Sequence, residues 1–307
     1  MPVKVASDWL NSCSGCEIAI LNLGETLLDL LSELEFVHIP VLMDHKYLGQ
    51  TGEGTEIDIP KATVGILSGG IRNEEHLHVA KEMRKKCDVL IALGTCATHG
   101  GIPAMINSYT NEELFDYYYS TPSTDPGGKA PTDGISPLLP RCYALDEHVK
   151  VDIMLPGCPP HPDHIAAAVL SLLKDEKLEL PFRSVCDTCP TIREGKGEVT
   201  KLKRFVTKPE FDSEEPIDKM RCLLEQGYLC MGPVTMAGCA GATGDAPRCL
   251  SARVPCRGCF GPVKQDGNQK LDMLNALASN NIEITSLPER DSLLRFSGAH
   301  NRLVSKN

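Results

Sequence analysis

Residues 88–101 read DVLIALGTCATHGG, so an apolar run ends at a glycine and is followed by a cysteine and two further glycines. An apolar run of this length, without polar alternation and closed by turn residues, is typical of a strand buried on both faces of a sheet. Such strands form parallel sheets covered by helices, and ligands bind beside their carboxyl ends. The stretch therefore predicts a buried strand of a parallel sheet with a functional cysteine at its end.

Outward from this strand, further strand-like runs alternate with helix-like runs. The predicted strands cover 3–7, 35–43, 62–70, 88–94 and 151–155, and the predicted helices cover 18–34, 73–86 and 163–175. This alternation implies right-handed βαβ crossovers and a parallel sheet covered on both faces. We therefore predict an α/β domain, with a long surface insertion between residues 107 and 142 whose second half is rich in Pro, Gly, Ser and Thr.

The periodic pattern weakens after about residue 180. From 222 to 259 the chain is rich in glycine and cysteine. That stretch offers too little apolar area to fold by core packing alone, so metal clusters are its natural cross-links. We predict two domains: 1–180 with the parallel sheet, and 181–307 as a small, irregular domain that ends in a helix-like run at 270–280.

The chain is acidic and rich in cysteine. Its 307 residues carry a formal net charge of -10, which argues against nucleic acid as a partner. Its apolar runs are far shorter than the ~18 residues of a membrane span. The beginning of the sequence lacks the features of a signal peptide, so we expect a cytoplasmic location. In a reducing compartment, 14 cysteines indicate metal or redox chemistry rather than disulfides.

Four cysteines follow three of the predicted strands. Cys13 and Cys16 come after the first strand, Cys96 after the strand at 88–94 and Cys158 after the last. Because the carboxyl ends of parallel strands lie at one edge of the sheet, these four thiolates should converge there. Four thiolates are the ligand set of a [4Fe–4S] cluster or of a structural zinc ion.

The second half of the chain supplies eight further cysteines, which sequence order divides into two groups with one C-x-x-C pair each. The groups are Cys186, Cys189, Cys222 and Cys230, and Cys239, Cys249, Cys256 and Cys259. Spacing also allows exchange of ligands between the groups, and all-cysteine zinc sites use similar pairs. Three quartets in one chain indicate a row of redox centres, which favours iron–sulfur clusters over zinc. Two cysteines remain, Cys87 and Cys142, and we interpret both as inert core thiols.

Four motifs together carry a family resemblance: WLNSCSGCE at 9–17, GTCATHGG at 94–101, PGCPP at 156–160 and GC…CRGC between 238 and 259. In this combination the sequence resembles the small, electron-transferring subunit of [NiFe] hydrogenases. The resemblance implies a flavodoxin-like first domain that holds a proximal cluster on Cys13, Cys16, Cys96 and Cys158. It also implies that the second domain holds a distal cluster on the quartet that begins at Cys186 and a medial cluster on the quartet that begins at Cys239.

Two positions depart from the periplasmic and membrane-bound members of that family. Those members have His-x-x-Cys at the distal cluster, where this chain has Cys186 and Cys189. They commonly have a proline where this chain has Cys249, so a fourth thiolate here implies a [4Fe–4S] medial cluster. These departures look like the cytoplasmic group of the family. Within it, the chain is most similar to the gamma subunit of the methyl-viologen-reducing (deazaflavin-non-reducing) hydrogenase of methanogens, which associates with heterodisulfide reductase.

The resemblance implies that H2 is split at a Ni–Fe centre in a separate large subunit. Electrons would then pass through three [4Fe–4S] clusters in this chain to a further iron–sulfur subunit and to heterodisulfide reductase. No nickel site is expected here because the quartets already use the clustered thiolates. The chain would be part of an oxidoreductase acting on H2 and would serve methanogenesis, but it would hold no catalytic residue of its own.

Other hypotheses stay open at this point. The chain could be the small subunit of a deazaflavin-reducing or NAD(P)-reducing hydrogenase or of a sulfhydrogenase. It is less similar to the quinone-reducing complex I module, which has an adjacent Cys-Cys pair and lacks the eight later cysteines. The alternative from another class is a zinc-stabilised scaffold protein without electron transfer.

Four polar side chains near the motifs have an ordinary structural interpretation, and two of them also have a functional one. Glu17 could contact the large subunit or carry protons, or it could be an ordinary acid at a helix N-terminus. His99 could donate to a cluster sulfide or be a satisfied loop histidine. His161 and His164 follow the PGCPP turn, and we interpret them as polar residues at the start of a helix.

Overall fold

The computed structural model describes residues 2–40, 43, 46–49, 52–124, 128–195, 198–203, 209–210, 212–241, 244, 246–287 and 289–305. The chain forms two compact units: the first contains the residues up to Pro156 together with those from Gly298 onward, and the second contains Gly157–Ser297. The predicted division into 1–180 and 181–307 differs from this grouping, and as a division of function it stays a prediction.

The described residues form seven β-strands. These are β1 (Val3–Trp9), β2 (Leu34–His38), β3 (Ala62–Ser68), β4 (Ile71–Asn73), β5 (Cys87–Leu93), β6 (Leu138–Tyr143) and β7 (Ile153–Leu155). Five of them make one parallel sheet in the order β2-β1-β3-β5-β7, whereas β4 and β6 pair antiparallel in a separate small sheet. With β4 and β6 set aside, the order is that of flavodoxin-like folds, which confirms the predicted fold class.

Eight α-helices lie in the part of the chain that the structure describes. These are α1 (Gly15–Leu21), α2 (Glu25–Leu31), α3 (Glu74–Lys86), α4 (Gly94–His99), α5 (Asn111–Tyr119), α6 (Pro162–Leu173), α7 (Arg248–Ser251) and α8 (Gln269–Ser279). The predicted start of α3 is confirmed, because the Asn73 side chain accepts a hydrogen bond from the His76 amide at 2.8 Å. Three basic residues occupy its last turn, where they complement the helix dipole.

The helix predicted at 18–34 is two helices, because the chain turns at Gly24. The backbone of Gly24 has φ 59° and ψ -127°, a conformation that residues with a side chain rarely adopt. Apolar periodicity did not reveal this break, since a glycine inside a helical pattern is compatible with a continuous helix. The strand predicted at 35–43 is also shorter: β2 ends at His38, and residues 41 and 42 lie outside the described residues.

The core of the first unit lies between the parallel sheet and its helices. Leu67 of β3, Leu90 of β5 and Met83 of α3 are fully buried there. Cys87 belongs to the same core, with its Sγ 3.5 Å from Sδ of Met83. Burial raises the pKa of Cys87 to about 11, so this thiol is protonated at neutral pH. Its position matches the interpretation of Cys87 as a core thiol.

The last segment of the chain completes the first unit beside α4. The Ala299 amide donates a hydrogen bond to the His99 carbonyl at 3.1 Å. His300 reaches Asp146 through a contact of 2.8 Å between Nε2 and Oδ1. Residues separated by about two hundred positions in sequence are thus neighbours at the end of the helix that carries Cys96.

The second unit is irregular, as the sequence predicts. Within its described residues it contains α6, α7, α8, short 3-10 turns and isolated β-bridges rather than strands. Its core surrounds the buried side chains of Tyr228, Met273 and Leu277, and it includes two cysteines, Cys230 and Cys256. Thiol groups therefore form part of the packing in this unit.

A buried polar network ties α8 to the cysteine-bearing loops. The Gln269 side chain is fully buried, and its Nε2 lies 3.3 Å from both the Thr235 hydroxyl and the Gly258 carbonyl. Its Oε1 accepts a hydrogen bond from the Ser297 hydroxyl at 2.8 Å. Gly258 directly precedes Cys259, so one side chain of α8 fixes the backbone next to a predicted ligand.

Candidate metal centres

Two of the predicted ligand loops lie side by side at the carboxyl edge of the parallel sheet. Cys13 and Cys16 follow β1, and Cys96 lies in α4, which directly follows β5. The amide of Asn11 donates to the carbonyl of Gly70 at 3.1 Å, and the Gly70 amide returns a bond to Asn11 at 3.2 Å. A Cβ on Gly70 would lie 3.4 Å from the carbonyl oxygen of Cys96. Gly70 is thus bonded to the loop after β1 and lies beside α4, while the atoms that leave no room for a Cβ there are Sγ of Cys142 at 2.9 Å and the Tyr143 carbonyl at 3.0 Å.

Glycine also leaves room beside the sulfur of Cys96. A Cβ on Gly101 would lie 2.6 Å from that Sγ, and the backbone of Gly101 has φ +55°. The last cysteine of the first unit, Cys142, is fully buried against Gly70, whose Cβ would lie 2.9 Å from its Sγ. Burial raises the pKa of Cys142 to about 11, and its position matches the interpretation as a core thiol.

Cys158 follows the end of β7 by three residues and belongs to the second unit. Its amide donates a hydrogen bond to Sγ of Cys259. The PGCPP turn therefore donates a hydrogen bond to a cysteine of the quartet that begins at Cys239. The assignment of Cys13, Cys16, Cys96 and Cys158 to one site stays a prediction.

The quartet that begins at Cys186 surrounds a single cavity of ≈ 310 Å³. All four of its cysteines line this cavity: Cys186, Cys189, Cys222 and Cys230. Burial, followed by the three neighbouring thiols, raises the pKa of Cys186 to about 12. Burial likewise raises the pKa of Cys230 to about 12. The four thiols can be thiolates together only where a strong positive charge lies between them, and bound iron or zinc would supply that charge.

Peptide N–H groups point at the sulfurs of this quartet. Cys230 accepts hydrogen bonds from the amides of Gly232 and Cys256, the latter at 3.3 Å. Cys222 accepts from the amides of Leu224 and Glu225. Such donors stabilise negative charge on sulfur and are one of the means by which proteins set cluster potentials.

The second quartet contains Cys256, whose amide donates the hydrogen bond to Sγ of Cys230. Burial is the first cause that raises the pKa of Cys239, Cys256 and Cys259. The next cause that raises the pKa is negative charge on a neighbouring cysteine, which is Cys249 for Cys239 and Cys259 and is Cys230 for Cys256. The pKa of Cys259 reaches about 12. The Arg248 amide donates to Cys239, and the Gly258 amide donates to Cys256. The structure therefore places Cys256 beside Cys230 as well as beside Cys249 and Cys259, and the division of these eight cysteines into two groups stays a prediction.

The described residues contain no preformed site for a single metal ion. Within the described residues, no group of three His, Cys, Asp or Glu side chains is arranged to hold one metal ion. A [4Fe–4S] cluster places its thiolates at the corners of a cube, farther apart than the ligands of one zinc ion. The cavity of ≈ 310 Å³ has four cysteines in its lining and has room for a group larger than one ion.

Glu17 and His99 are both buried next to predicted ligands. The Ser68 hydroxyl donates to Oε1 of Glu17, while Oε2 has no hydrogen-bond partner among the described residues. In His99, Nδ1 lies 2.8 Å from the Thr98 hydroxyl, and the buried Nε2 has no partner in the described part of the chain. Burial lowers the pKa of His99 to about 3, so its imidazole is neutral at pH 7.

Sequence reasoning missed two residues at the ≈ 310 Å³ cavity. The Arg193 guanidinium donates to the Cys186 carbonyl at 2.7 Å and places a positive charge in the cavity wall. Gly232 lines the cavity as well, and a Cβ on it would lie 3.1 Å from Sγ of Cys186. The only available signal was proximity in sequence to cysteines, which does not distinguish these residues from their neighbours.

Comparison with known proteins defines the class of the chain. Residues 13–172 match the protein family described as NADH ubiquinone oxidoreductase, 20 Kd subunit. The NAD+-reducing [NiFe]-hydrogenase, solved in the H2-reduced state, contains a similar chain with a TM-score of 0.54 and 28% identity. That similarity covers 59% of this chain and 96% of the other. The chain is thus an oxidoreductase subunit of the type found in hydrogenases.

Curated relatives narrow the class to one family. The chain is 39% identical over 298 residues to a subunit of the F420-non-reducing hydrogenase vhu of Methanocaldococcus jannaschii, covering 97% of this chain and 95% of that protein. It is 32% identical over 184 residues to the NAD-reducing hydrogenase HoxS subunit delta of Cupriavidus necator, covering 58% and 82% respectively. The chain belongs to the hydrogenase small-subunit family, with the corresponding subunits of F420-non-reducing hydrogenases as close homologues. None of its described helices has the length and apolar character needed to cross a membrane.

Proposed function

We propose that the chain is the electron-transferring small subunit of a cytoplasmic [NiFe] hydrogenase and relays electrons from H2 through three [4Fe–4S] clusters. The observation that carries the proposal is the second unit's pair of cysteine quartets, joined by the hydrogen bond from the Cys256 amide to Sγ of Cys230. Adjacent, linked sites are suited to stepwise electron transfer, whereas a structural metal needs no such link. The match to an F420-non-reducing hydrogenase over 97% of the chain supports the same function.

Twelve cysteines would hold the three clusters. The proposed ligands are Cys13, Cys16, Cys96 and Cys158 for the proximal cluster, Cys239, Cys249, Cys256 and Cys259 for the medial cluster, and Cys186, Cys189, Cys222 and Cys230 for the distal cluster. When bound, each cluster supplies a site that gains and loses one electron. The protein's contribution is to exclude water from the sulfurs and to direct peptide N–H groups at them.

Two peptide groups connect the three proposed sites. The Cys158 amide donates to Sγ of Cys259, and the Cys256 amide donates to Sγ of Cys230. A proximal ligand is thereby hydrogen-bonded to a medial ligand, and a medial ligand to a distal one. This continuity supports the order proximal, medial, distal for the electron path.

The partners in the proposal follow from the resemblance to hydrogenase small subunits. H2 oxidation would occur at a Ni–Fe centre in a large subunit, since the clustered cysteines of this chain are already assigned to three quartets. A further iron–sulfur subunit and heterodisulfide reductase would receive the electrons. The 14 cysteines, all free thiols, support a reducing, cytoplasmic location.

The test is anaerobic purification from the native source with analysis of metals, acid-labile sulfide and associated chains. We expect about 12 iron atoms and a similar amount of sulfide per chain, with nickel in a co-purifying large subunit. Zinc without sulfide would refute the electron-relay function and favour a structural scaffold.

A pair of cysteine variants sharpens this test. Cys189→Ala removes one sulfur from the ≈ 310 Å³ cavity and should lower the iron content by about four atoms per chain. Cys87→Ala removes an equally small thiol from the core of the first unit and should leave the iron content unchanged. Equal iron loss in both variants would contradict the assignment of Cys189.

A further inference from the structure

The start of α6 contacts the turn that carries Cys239. This turn, Gly238–Gly241, closes with a hydrogen bond from the Gly241 amide to the Gly238 carbonyl at 2.9 Å. Each of its two glycines lies against a histidine ring: Gly238 contacts His164, and Gly241 contacts His161. The two histidines are three residues apart in the sequence. Residues three apart share one face of a helix, so both imidazoles are presented to the same turn.

Only glycine fits at these two positions of the turn. A Cβ on Gly238 would collide with Cε1 of His164 and lie 3.3 Å from each ring nitrogen. A Cβ on Gly241 would lie 2.7 Å from Nε2 of His161. The glycines also have φ of +131° and +77°, values that residues with a side chain rarely adopt. The imidazole edges therefore pack directly on the backbone next to Cys239.

His164 reaches a second ligand segment from the same position. Its ring meets the buried ring of Phe260 edge-on, with the centroids 6.3 Å apart and the planes at 83°. Phe260 directly follows Cys259, whose sulfur accepts the hydrogen bond from the Cys158 amide. His164 thus contacts Gly238, which precedes Cys239, and Phe260, which follows Cys259.

The helix-start interpretation accounts for only one of the two histidines. His161 is the N-cap of α6, since its Nδ1 accepts a hydrogen bond from the Asp163 amide at 3.2 Å. The ring of His164 has no such bond to any described residue and is positioned by packing. Burial lowers the pKa of His164, so the ring is neutral and fits an apolar environment.

We infer that His164, supported by His161, is a positioning residue for the medial site and locks the Cys239 turn onto the segment that carries Cys158. This inference rests on the proposed function and extends it. Cys158 precedes the start of α6 by only four residues, so one short segment would hold a proximal ligand and orient two medial ligands. Partners that orient metal ligands commonly change metal affinity by 10–100-fold when they are removed.

The test measures how fast iron leaves the purified hydrogenase complex in the presence of an iron chelator, with EPR to identify the cluster that changes. In His164→Ala the turn loses its packing partner, and we expect roughly tenfold faster loss of one cluster, with a three-iron EPR signal appearing on oxidation. The proximal and distal EPR signals should stay as in the wild type. His164→Phe retains a flat ring at this position and should lose iron at close to the wild-type rate.

Gly238→Ala changes the other partner of the contact between His164 and Gly238. The added methyl group collides with His164, so this variant should also lose iron roughly tenfold faster. In the double variant His164→Ala/Gly238→Ala the methyl group meets no imidazole, and the combined effect should be smaller than the product of the single effects. These two variants keep the inference testable if His164→Ala fails to accumulate.

His148→Ala is the matched control, since it removes an imidazole packed against Tyr143 in the first unit. If iron loss in His164→Ala and Gly238→Ala equals that of this control, the inference is overturned while the proposed function stands. Fully multiplicative effects in the double variant would also overturn it. A wild-type complex without iron–sulfur clusters would overturn the proposed function and this inference together.

Discussion

Lowering the pH from about 7 to about 5.5 should destabilise the first unit through the imidazole of His99. This side chain is 4% exposed, its Nε2 has no hydrogen-bond partner among the residues that the structure describes, and burial lowers its pKa to about 3. His300 and Arg302 lower that pKa further. In the unfolded chain the same imidazole has a pKa of about 6.5 and gains a proton in this range, whereas the folded state excludes it.

The sign and size of the effect follow from proton linkage. Because the pKa of His99 is lower in the folded state, its contribution to stability is present above about pH 6.5 and is lost as the pH falls towards about 3. Between pH 7 and pH 5.5 the loss is about 1.3 kcal/mol. The loss depends little on the folded-state pKa, since both pH values lie well above it.

The assay is urea unfolding at the two pH values under anaerobic conditions, followed by the fluorescence of Trp9, the single tryptophan of the chain. Trp9 ends β1 and so reports on the unit that contains His99. In His99→Gln the dependence on pH should be weaker than in the wild type by about 1.3 kcal/mol, whatever the absolute stability of the variant. A variant that loses stability with pH as steeply as the wild type would refute the reasoning.

Three further changes have distinct expected outcomes. Cys249→Pro, in the first turn of α7 where proline is tolerated, should lower the iron content by about one atom per chain and add a three-iron EPR signal; an unchanged spectrum would argue against the medial quartet. Gln269→Leu leaves the buried Ser297 hydroxyl without its acceptor and should lower the unfolding free energy by about 1–3 kcal/mol in urea denaturation. Gln269→Glu keeps that acceptor but turns a carboxylate oxygen towards the Gly258 carbonyl in place of the amide donor, so it should cost at least as much. Cys142→Ala should keep the full iron content, and iron loss would show that this thiol is more than a core residue.

The sheet was predictable because its signals are local. The apolar run that forms β5 and the cap and charges that bound α3 lie within a few residues of the elements they determine. The loops after these strands were predictable too, since parallel strands align their carboxyl ends whatever the details of packing. The same reasoning failed at Gly24, where the sequence pattern is compatible with one helix or two.

Contacts between distant segments could not be read from the sequence. The Cys256 amide that bonds Sγ of Cys230 is a backbone group, and every residue except proline carries one. The packing of His164 on Gly238 joins positions more than seventy residues apart, and neither residue type identifies the other. Cysteine spacing therefore yields a prediction of which cysteines share a site, whereas the groups around their sulfurs depend on tertiary packing.

The residues from Gly298 onward belong to the first unit, which has a consequence for biosynthesis. The ribosome makes residues 157–297 before Gly298, so the second unit is fully synthesised while the first still lacks its last segment. The His99 carbonyl at the end of α4 accepts a hydrogen bond from the Ala299 amide, and this bond cannot form until Ala299 has been made. Domains usually fold in the order in which they are synthesised. In this chain the N-terminal unit is the last to be completed.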